Sequence, residues 1–492
     1  MKIGFDHELY LKKQTEEITK RINGDHKLYL EVGGKLFDDY HASRVLPGYQ
    51  SNIKIELLKQ LKDQSEIIFC INANSIAKEK IRADFGITYD MDMLRLIDEL
   101  RSSGVTINSV VITLYEGQVA ADIFRKKLER QKIKTYIHTY TKGYPTDVDI
   151  IVSDEGYGAN SYIETTKPIV IVTAPGPGSG KLATCLSQIY HEYKRGIKAS
   201  YSKYETFPIW DLPLKHPVNI AYEAATADLK DLNMIDSFHL EAYGITATNY
   251  NRDMEVFPVL KRILEKVMGE CKYKSPTDMG VNTIGSCIIN DNVIVKASRE
   301  EIIRRYYKSL VEYKQGTVDE EVPRRIKMLM NELNIDINER DIITTALNKF
   351  KEKNTPSIAL KLPSGKIVTG RNTDVMTASA AVVLNSIKEL AKIDDDVHLL
   401  APVVLEPMIN LKSTLYNQGN DLLTLRDVLL GLGISAATNP IIEKALSKLS
   451  DLKNSDAHSS HMIRQSDENT LRTLGITFTS EPRFFTSNVY DN

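Results

Sequence analysis

The chain has 492 residues, a length typical of two or three domains, and its 63 basic and 65 acidic residues leave a net charge of −2, which offers nucleic acid no attractive field. Four cysteines without a CxxC pair argue against a disulfide framework or a zinc ribbon and favour a reducing compartment. Because neither a signal peptide nor an apolar run of the ~18 residues needed for a membrane span is visible, we predict a cytoplasmic protein with no membrane partner.

The N-terminal part of the chain alternates apolar runs with amphipathic segments. The runs KLYLEV, EIIFCINA and SVVITLYE are each followed by a segment of helical period, and KTYIHTY, DVDIIVS and KPIVIVT are three further strand candidates. This alternation is typical of a mostly parallel sheet covered by helices on both faces. We therefore predict an α/β fold with a doubly wound sheet that contains a strand, glycine loop and helix unit.

From about residue 219 onward the pattern becomes largely helical. The segments VFPVLKRILEKVMGE, REEIIRRYYKSLVEYKQG and VPRRIKMLMNELNI have helical period, whereas SIALKLPSGKIVTG alternates about a Ser-Gly turn and predicts a hairpin. We predict an α/β domain with a helical extension at residues 1–325 and a mainly helical α+β domain with a β-hairpin at residues 326–492.

The segment IVTAPGPGSGK, residues 171–181, ends in the Gly-Lys pair of a phosphate-binding loop. The consensus G-x-x-x-x-G-K-[ST] fits in part, because Pro175 stands where the first glycine belongs and Leu182 replaces the hydroxyl residue. A strand precedes the loop and a helix follows it, which is the context that phosphate binding requires. The residues predicted to bind the phosphates of ATP or of another phosphorylated ligand are Gly176, Gly178, Ser179, Gly180 and Lys181; the alternative is a tight connection with Lys181 in solvent.

Three carboxylates are candidate Mg²⁺ ligands. Asp154 and Glu155 end the apolar run VDIIVS, and Glu205 lies on the strand expected after the loop helix. A carboxylate at such a strand end holds Mg²⁺ in phosphate-loop enzymes. Lys203 shares the strand face of Glu205, because side chains alternate with a period of two. Polar strand ends and solvated edge residues are the structural alternatives.

Two polar loops supply candidates for the substrate side of the site. In EVGGKLFDDYHASRVLPGY, Arg44 and His41 follow the first strand, where open α/β sheets bind ligands. In KSPTDMGVN, Asp278 lies among turn residues, and a plain turn before the run SCIINDNVIVKAS is the favoured interpretation of this loop. Near the C-terminus, His458 and His461 are candidate metal ligands or bases, but two histidines without a third ligand are also ordinary polar residues. No nucleophile motif of a protease is present.

Several stretches together carry a family resemblance. The strings LEVGGKLFDDYHASRVLPGY, APGPGSGKLATCLSQ, FPIWDLPLKHPVNIAYEAATADL, SPTDMGVN and ISAATNP resemble those of a bacterial family of roughly 500-residue proteins without an established activity. Some members carry the label ATP-dependent peptidase, for which the residues give no support. The second histidine of HSSHMI departs from the pattern expected of relatives, which weakens a metal role for His461.

A looser resemblance concerns the order of elements. A strand, a glycine loop ending in Gly-Lys, a helix and a strand bearing Lys203 follow one another as in ATP-dependent ligases such as dethiobiotin synthetase and formate-tetrahydrofolate ligase. The absence of a hydroxyl residue after Lys181 departs from their Mg²⁺ coordination. This resemblance is an analogy of order alone.

Three functions follow as hypotheses. In the first, a Mg²⁺-dependent ligase or kinase binds ATP at the loop, and the residues predicted to act on substrate and phosphate are Lys181, Lys203, Asp278 and Arg44. In the second, the loop holds the single phosphate of a metabolite without ATP. In the third, the loop is structural and the protein assembles as a non-catalytic homo-oligomer through its helical C-terminal half.

Overall fold

The computed structural model describes residues 2–22, 27–82, 86–416 and 422–484. It divides into two compact units, Lys2–Ser298 and Arg299–Asn492, here called the N-terminal and the C-terminal unit. The division falls within the helix Asp291–Lys314. Because a change of packing partners inside a continuous helix does not by itself mark a domain boundary, the boundary predicted near residue 325 stays a prediction.

The N-terminal unit alternates strands and helices over most of its length. In chain order its elements are α1 (His7–Lys20), β1 (Lys27–Val32), α2 (Tyr40–Val45), α3 (Ile53–Gln60), β2 (Ser65–Asn72), α4 (Ala73–Ala77), β3 (Ile81–Arg82), β4 (Ile87–Thr88), α5 (Tyr89–Ser102), β5 (Ile107–Thr113), α6 (Val119–Arg130), β6 (Lys134–Ile137), α7 (Val148–Ile151), β7 (Ile169–Thr173), α8 (Lys181–Lys194), β8 (Ala199–Tyr204), α9 (Pro217–Ala225), β9 (Asn233–Ile235), α10 (Ser237–Tyr243), β10 (Thr248–Tyr250), α11 (Asn251–Met268), α12 (Pro276–Met279) and the start of α13 (Asp291–Lys314).

Six of these strands form one parallel sheet in the order β6-β5-β2-β7-β1-β8. The central strand β7 is buried along its whole length, as expected for a parallel strand covered by helices on both faces. On one face, α8 and α11 pack their apolar side chains against the sheet around Ile189, Phe257 and Ile263. The predicted α/β fold with a parallel, doubly wound sheet is confirmed.

One predicted strand is wrong. The run DVDIIVS forms the short helix α7, because the Asp147 side chain accepts a hydrogen bond from the backbone N–H of Ile150 and caps the turn. A short, mostly apolar segment fits a buried strand and a helical turn equally, and the N-cap aspartate favours the helix here. The strand candidates KTYIHTY and KPIVIVT contain β6 and β7 as predicted.

The C-terminal unit is mainly helical around one mixed sheet. Its elements are the rest of α13, then α14 (Glu321–Glu332), α15 (Asp341–Lys353), β11 (Ser357–Lys361), β12 (Ile367–Arg371), α16 (Ala378–Ala391), α17 (Pro402–Tyr416), α18 (Leu425–Ala436), α19 (Pro440–Leu446), β13 (Asp456–Ser459), α20 (Gln465–Thr473) and β14 (Thr477–Ser480). The predicted hairpin is the antiparallel pair of β11 and β12. It belongs to a four-stranded sheet of order β12-β11-β13-β14.

A buried ion cluster ties β13 of this unit to two helical segments. The Asp456 carboxylate accepts hydrogen bonds from Arg304 at 2.9 Å and from Arg340 at 2.9 Å, and Arg340 also donates to the Thr479 hydroxyl at 3.2 Å. Burial disfavours the charged carboxylate, but the two guanidinium groups outweigh it and lower the pKa of Asp456 to about 2. Removal of this carboxylate leaves two buried cations without their shared partner.

We therefore expect Asp456→Asn to lower the free energy of unfolding of the C-terminal unit by about 3–5 kcal/mol, the usual cost of breaking a buried ion pair from one side. Urea unfolding followed by circular dichroism measures the loss. Asp341→Asn is the matched control, because it removes an exposed carboxylate that pairs with Lys361 at 2.8 Å, and we expect it to cost less than about 1 kcal/mol. Equal losses in the two variants would contradict the role of the cluster.

Candidate functional site

The glycine loop lies at the carboxyl edge of the parallel sheet. It follows β7, which stands between β2 and β1 in the sheet. The chain leaves β2 toward β5 on one side and leaves β7 toward β8 on the other. Adjacent strands whose connections run in opposite directions open a crevice, and open α/β sheets bind ligands in such a crevice.

Each of the three glycines in this loop is required for a different physical reason. A Cβ atom on Gly176 would overlap the ring of Tyr89. Gly180 has a φ of 79°, and a Cβ atom there would lie 3.0 Å from Thr113. Gly178 has a φ of 67° with open space around it. Packing explains the first two glycines, and Gly178 supplies a left-handed backbone conformation facing open space.

Neighbouring strands hold the loop in place through its carbonyl groups. The Asn72 side chain donates to the carbonyl of Gly178 at 3.1 Å, and the Thr113 hydroxyl donates to the carbonyl of Ser179 at 2.8 Å. These donors lie at the ends of β2 and β5. These two carbonyl oxygens are therefore already occupied by protein donors.

The start of α8 has donors without acceptors. Gly180 is its N-cap residue and provides no side-chain cap. In the described part of the chain, the backbone N–H groups of Gly180, Lys181 and Leu182 donate to no protein atom, and the buried hydroxyl of Ser179 has no hydrogen-bond partner. An uncapped helix N-terminus carries a partial positive charge, and anions bind to it.

The Lys181 side chain turns toward β1. Its ammonium group lies 3.8 Å from Oε1 of Glu31 and is largely buried. This distance makes an ion pair but exceeds that of a hydrogen bond, and the ammonium group donates no hydrogen bond to the residues described. The solvent position that the structural alternative assigned to Lys181 is therefore not observed.

Lys203 is the centre of a partly buried polar cluster at the end of β8. Its ammonium group donates to both carboxylate oxygens of Asp253 at 2.7 Å and to the Tyr250 hydroxyl at 2.6 Å, and it lies 3.1 Å from Oε1 of Glu205. The Tyr250 hydroxyl in turn donates to Glu205. Glu31 is the register partner of Lys203 on β1. Lys203, Glu205, Asp253, Tyr250 and Glu31 are called the Lys203 cluster below.

The pKa values of this cluster depart from their ordinary ranges. Burial raises the pKa of Asp253 to about 6, because Lys203 does not fully offset the loss of hydration and the repulsion from Glu205. Burial opposes the charge on Lys203, but the surrounding carboxylates outweigh it and raise the pKa of the ammonium group well above its usual value. Perturbed acid and base groups in a cleft are typical of functional sites.

A cavity of about 80 Å³ adjoins the cluster. Its polar wall contains Glu31, Tyr201, Lys203 and Asp253. The rest of its wall is apolar and consists of Leu182, Val256, Phe257, Leu260, Pro276 and Met279. Leu182 is also the second residue of α8, so the cavity begins beside the glycine loop.

The structure brings Lys203, Glu205 and Lys181 to the carboxyl edge of the sheet and leaves Asp154 and Glu155 elsewhere. Asp154 pairs with Lys194, the last residue of α8, whereas the loop precedes the first residue of that helix. A 14-residue helix is about 20 Å long. Glu155 is exposed and pairs with Lys142. Because their predicted strand is a helix, neither carboxylate shares a site with the loop.

The other residues predicted to contact the substrate make contacts that are explained by the fold. Asp278 completes a capping box with Ser275 at the start of α12, and its carboxylate also accepts from the Tyr243 hydroxyl at 2.9 Å. Arg44 is half-buried in the last turn of α2. His41 packs edge-on against Phe207, with ring centroids 5.3 Å apart.

Ser275, His239 and Asp278 superficially resemble a hydrolase triad. The Ser275 hydroxyl lies 2.9 Å from Nδ1 of His239, and the same nitrogen lies 3.7 Å from Asp278. A triad needs the serine and the carboxylate on opposite ring nitrogens. Ser275 is also fully buried and caps α12, so this group gives no support to peptidase chemistry.

Nearby, the indole N–H of Trp210 donates to the carbonyl of Asn282 at 3.0 Å.

The two histidines of the C-terminal unit lie in packed surroundings. His458 is fully buried, with Nδ1 2.9 Å from the Thr479 hydroxyl and Nε2 3.5 Å from Glu481. Burial lowers the pKa of both His458 and His461. His461 packs edge-on against Phe350. No group of three His, Cys, Asp or Glu side chains in the described ranges is arranged to hold a metal ion.

Sequence reasoning missed Glu31, Tyr250 and Asp253. Glu31 is the only charged residue between the apolar positions of KLYLEV, and such a carboxylate in a buried strand needs a partner, which was the available signal. Asp253 lies in the first turn of α11, where an acidic residue is explained by the helix dipole alone. Its proximity to Lys203 is visible only in three dimensions.

Comparison with known proteins identifies relatives over the whole length. The family model described as domain of unknown function DUF1846, N-terminal, matches residues 3–334, and the C-terminal model of the same family matches residues 338–490. The chain is 57% identical to a UPF0371 protein of Clostridium tetani and 56% identical to one of Clostridioides difficile, with 100% of each chain covered. The family resemblance predicted from the quoted strings is confirmed.

Within the described ranges, no helix combines the length and apolar character required to cross a membrane.

The raised pKa of Asp253 gives a pH-dependent prediction. The native state binds this proton more tightly than the unfolded chain does, so the stabilisation is present at low pH and is lost as the pH rises from about 4 to about 6. Asp253→Asn removes this titration. We expect the stability of the variant relative to wild type to increase by about 1–3 kcal/mol between pH 4 and pH 7, measured by urea unfolding.

Asp154→Asn is the matched control for this measurement. Lys194 lowers the pKa of Asp154, so the stability of this variant relative to wild type should change with pH in the opposite direction. A relative stability of Asp253→Asn that does not change with pH would show that Asp253 titrates as an ordinary surface aspartate.

Proposed function

The chain belongs to the DUF1846 family, and from the geometry of its glycine loop we propose that it is an enzyme that binds and acts on a small phosphorylated metabolite. The phosphate lies at the start of α8, and the chemistry takes place at the adjacent Lys203 cluster. The observation that carries this proposal is the set of unused donors at the loop. Backbone N–H groups, the Ser179 hydroxyl and the Lys181 ammonium group all lack a hydrogen-bond acceptor in the described part of the chain.

An anion at this position satisfies these groups together. A phosphate has several strong acceptor oxygens, and a helix N-terminus favours its negative charge. Lys181 follows the N-cap residue directly, so its charge adds to that of the helix dipole. The buried Ser179 hydroxyl without a partner costs about 1–3 kcal/mol, and a bound phosphate removes this cost. The loop is therefore better suited to a ligand than to a simple turn.

The geometry favours a metabolite phosphate over Mg-ATP. The residue after Lys181 is Leu182, which lines the cavity, and an apolar side chain provides no Mg²⁺ ligand. Asp154 and Glu155 lie near the opposite end of α8. Glu205, the remaining candidate, contacts Lys203 and Tyr250. Binding of ATP and Mg²⁺ stays a prediction, and the nucleotide arm of the experiment below tests it.

The Lys203 cluster supports an enzyme rather than a structural protein. Three carboxylates, a lysine and a tyrosine meet beside the loop, and the pKa of Asp253, at about 6, lies close to the pH of the cytoplasm. General acid and base catalysis is most efficient when the pKa of the group lies near the working pH.

We expect inorganic phosphate to raise the melting temperature of wild type by roughly 2–4 °C at ten times its Kd, because it binds only the native loop. For Lys181→Ala, at least ten times more phosphate should be needed to give the same rise in melting temperature. Differential scanning fluorimetry with phosphate, ethyl phosphate, ATP and Mg-ATP measures the response.

The control for this experiment is Lys194→Ala, which removes a lysine from the other end of the same helix, where it pairs with Asp154. Its phosphate response should equal that of wild type. A response to Mg-ATP that exceeds the response to phosphate and depends on Lys181 would favour the ligase or kinase hypothesis. If no phosphorylated compound gives a response, the loop is structural and the proposal is wrong.

A further inference from the structure

We propose that the cavity beside the glycine loop binds a primary ammonium group, so that the metabolite held by the loop is a small aminoalkyl phosphate. The inference rests on the proposed function, because it places the phosphate of the same ligand at the start of α8. It adds the chemical class of the rest of the ligand. The polar wall of the cavity, its apolar wall and its position beside the loop carry the argument.

The polar wall of the cavity has more hydrogen-bond acceptors than donors. An ammonium group has three donors, and those of Lys203 are directed to Asp253, Tyr250 and Glu205. The Tyr250 hydroxyl donates its hydrogen bond to Glu205. The donors in this cluster are thus consumed, while each carboxylate oxygen can accept more than one hydrogen bond. A group that enters the cavity must therefore bring donors of its own.

Glu31 provides the unused acceptor that is most buried. The residue is 8% exposed and lines the cavity. Its Oε2 accepts from the Tyr201 hydroxyl at 2.9 Å, whereas Oε1 lies 3.8 Å from Lys181 and accepts no hydrogen bond from the residues described. This oxygen of a largely buried residue is therefore available to a ligand donor, and an ammonium group between Glu31 and Asp253 would donate to it.

The negative charge around the cavity favours an ammonium group over a hydroxyl group as the ligand. Three carboxylates of the Lys203 cluster meet two lysines, Lys203 and Lys181, so these five groups together carry one excess negative charge when all are ionised. A phosphate at the loop draws on the charge of Lys181 and leaves the cavity more negative. A hydroxyl ligand supplies one donor and no charge, whereas an ammonium ligand supplies three donors and neutralises the excess.

The apolar wall fits a short alkyl stem. Val256, Phe257 and Leu260 from α11 and Met279 from α12 form the side of the cavity opposite the carboxylates. A volume of about 80 Å³ holds a few heavy atoms and excludes a nucleoside, for which pockets of several hundred Å³ are usual. Since Leu182 belongs both to the first turn of α8 and to the cavity wall, the proposed phosphate position adjoins the cavity.

Titration of the cluster supplies a second readout. An ammonium ligand binds to the ionised form of Asp253, whose pKa is raised to about 6 by burial. Lys203, Glu205 and Glu31 are the charged groups that act on Asp253. Affinity for the amine should therefore fall as the pH drops below about 6.

The experiment compares 2-aminoethyl phosphate with ethyl phosphate by isothermal titration calorimetry on the full chain at pH 7.5. The two compounds share the phosphate and differ in the amine. We expect wild type to bind 2-aminoethyl phosphate at least tenfold more tightly than ethyl phosphate. Asp253→Asn should reduce this ratio below about threefold and leave the affinity for ethyl phosphate within about twofold of wild type. Glu31→Gln should also reduce the ratio below about threefold, and because it removes the ion-pair partner of Lys181, its affinity for ethyl phosphate should not fall.

Asp154→Asn is the control, because it removes an exposed carboxylate near the other end of α8, and it should keep the wild-type ratio. The ratio should also fall between pH 7.5 and pH 5 in wild type, while ethyl phosphate corrects for protonation of the phosphate itself. Equal affinity of wild type for the two compounds, or a ratio that both variants retain, overturns the inference and leaves the proposed function standing. If neither phosphate ester binds, the proposed function fails, and with it the inference.

Discussion

The pairing of β1 with β8 is the constraint on which the candidate site depends. Parallel strands end at one edge of the sheet, and this register sets Glu31 beside Lys203. A slip of one residue would turn one of these side chains to the opposite face of the sheet. The apolar residues Leu28 and Leu30 of β1 are fully buried, so the hydrophobic core fixes the register. Packing of ordinary side chains therefore determines where the charged ones meet.

The sequence predicted the parts of this site that depend on local periodicity. The strand, glycine loop and helix unit follows from apolar runs and helical spacing, and the shared face of Lys203 and Glu205 follows from the period of two along a strand. The structure adds Asp253 and Tyr250, which lie about fifty residues further along the chain. Because no local pattern encodes the approach of α11 to β8, sequence reasoning had no means of finding them.

Two aspartates of the N-terminal unit have a local structural explanation. Asp278 caps α12 together with Ser275, and Asp147 caps the turn that replaced a predicted strand. Aspartate, asparagine and serine are typical both of helix caps and of active sites. Sequence alone does not separate the two uses, since both place a short polar side chain in a turn. Burial and hydrogen-bond partners separate them, and at these positions they indicate capping.

Trp210 has a consequence for how this protein is studied. It is the single tryptophan of the chain, and its indole N–H bonds within the N-terminal unit, close to the ring of His239. Intrinsic tryptophan fluorescence therefore reports on that unit alone, whereas far-ultraviolet circular dichroism reports on the helices of both. If the two signals change at different denaturant concentrations, the units unfold as separate cooperative bodies. If they coincide, the chain unfolds in one cooperative transition.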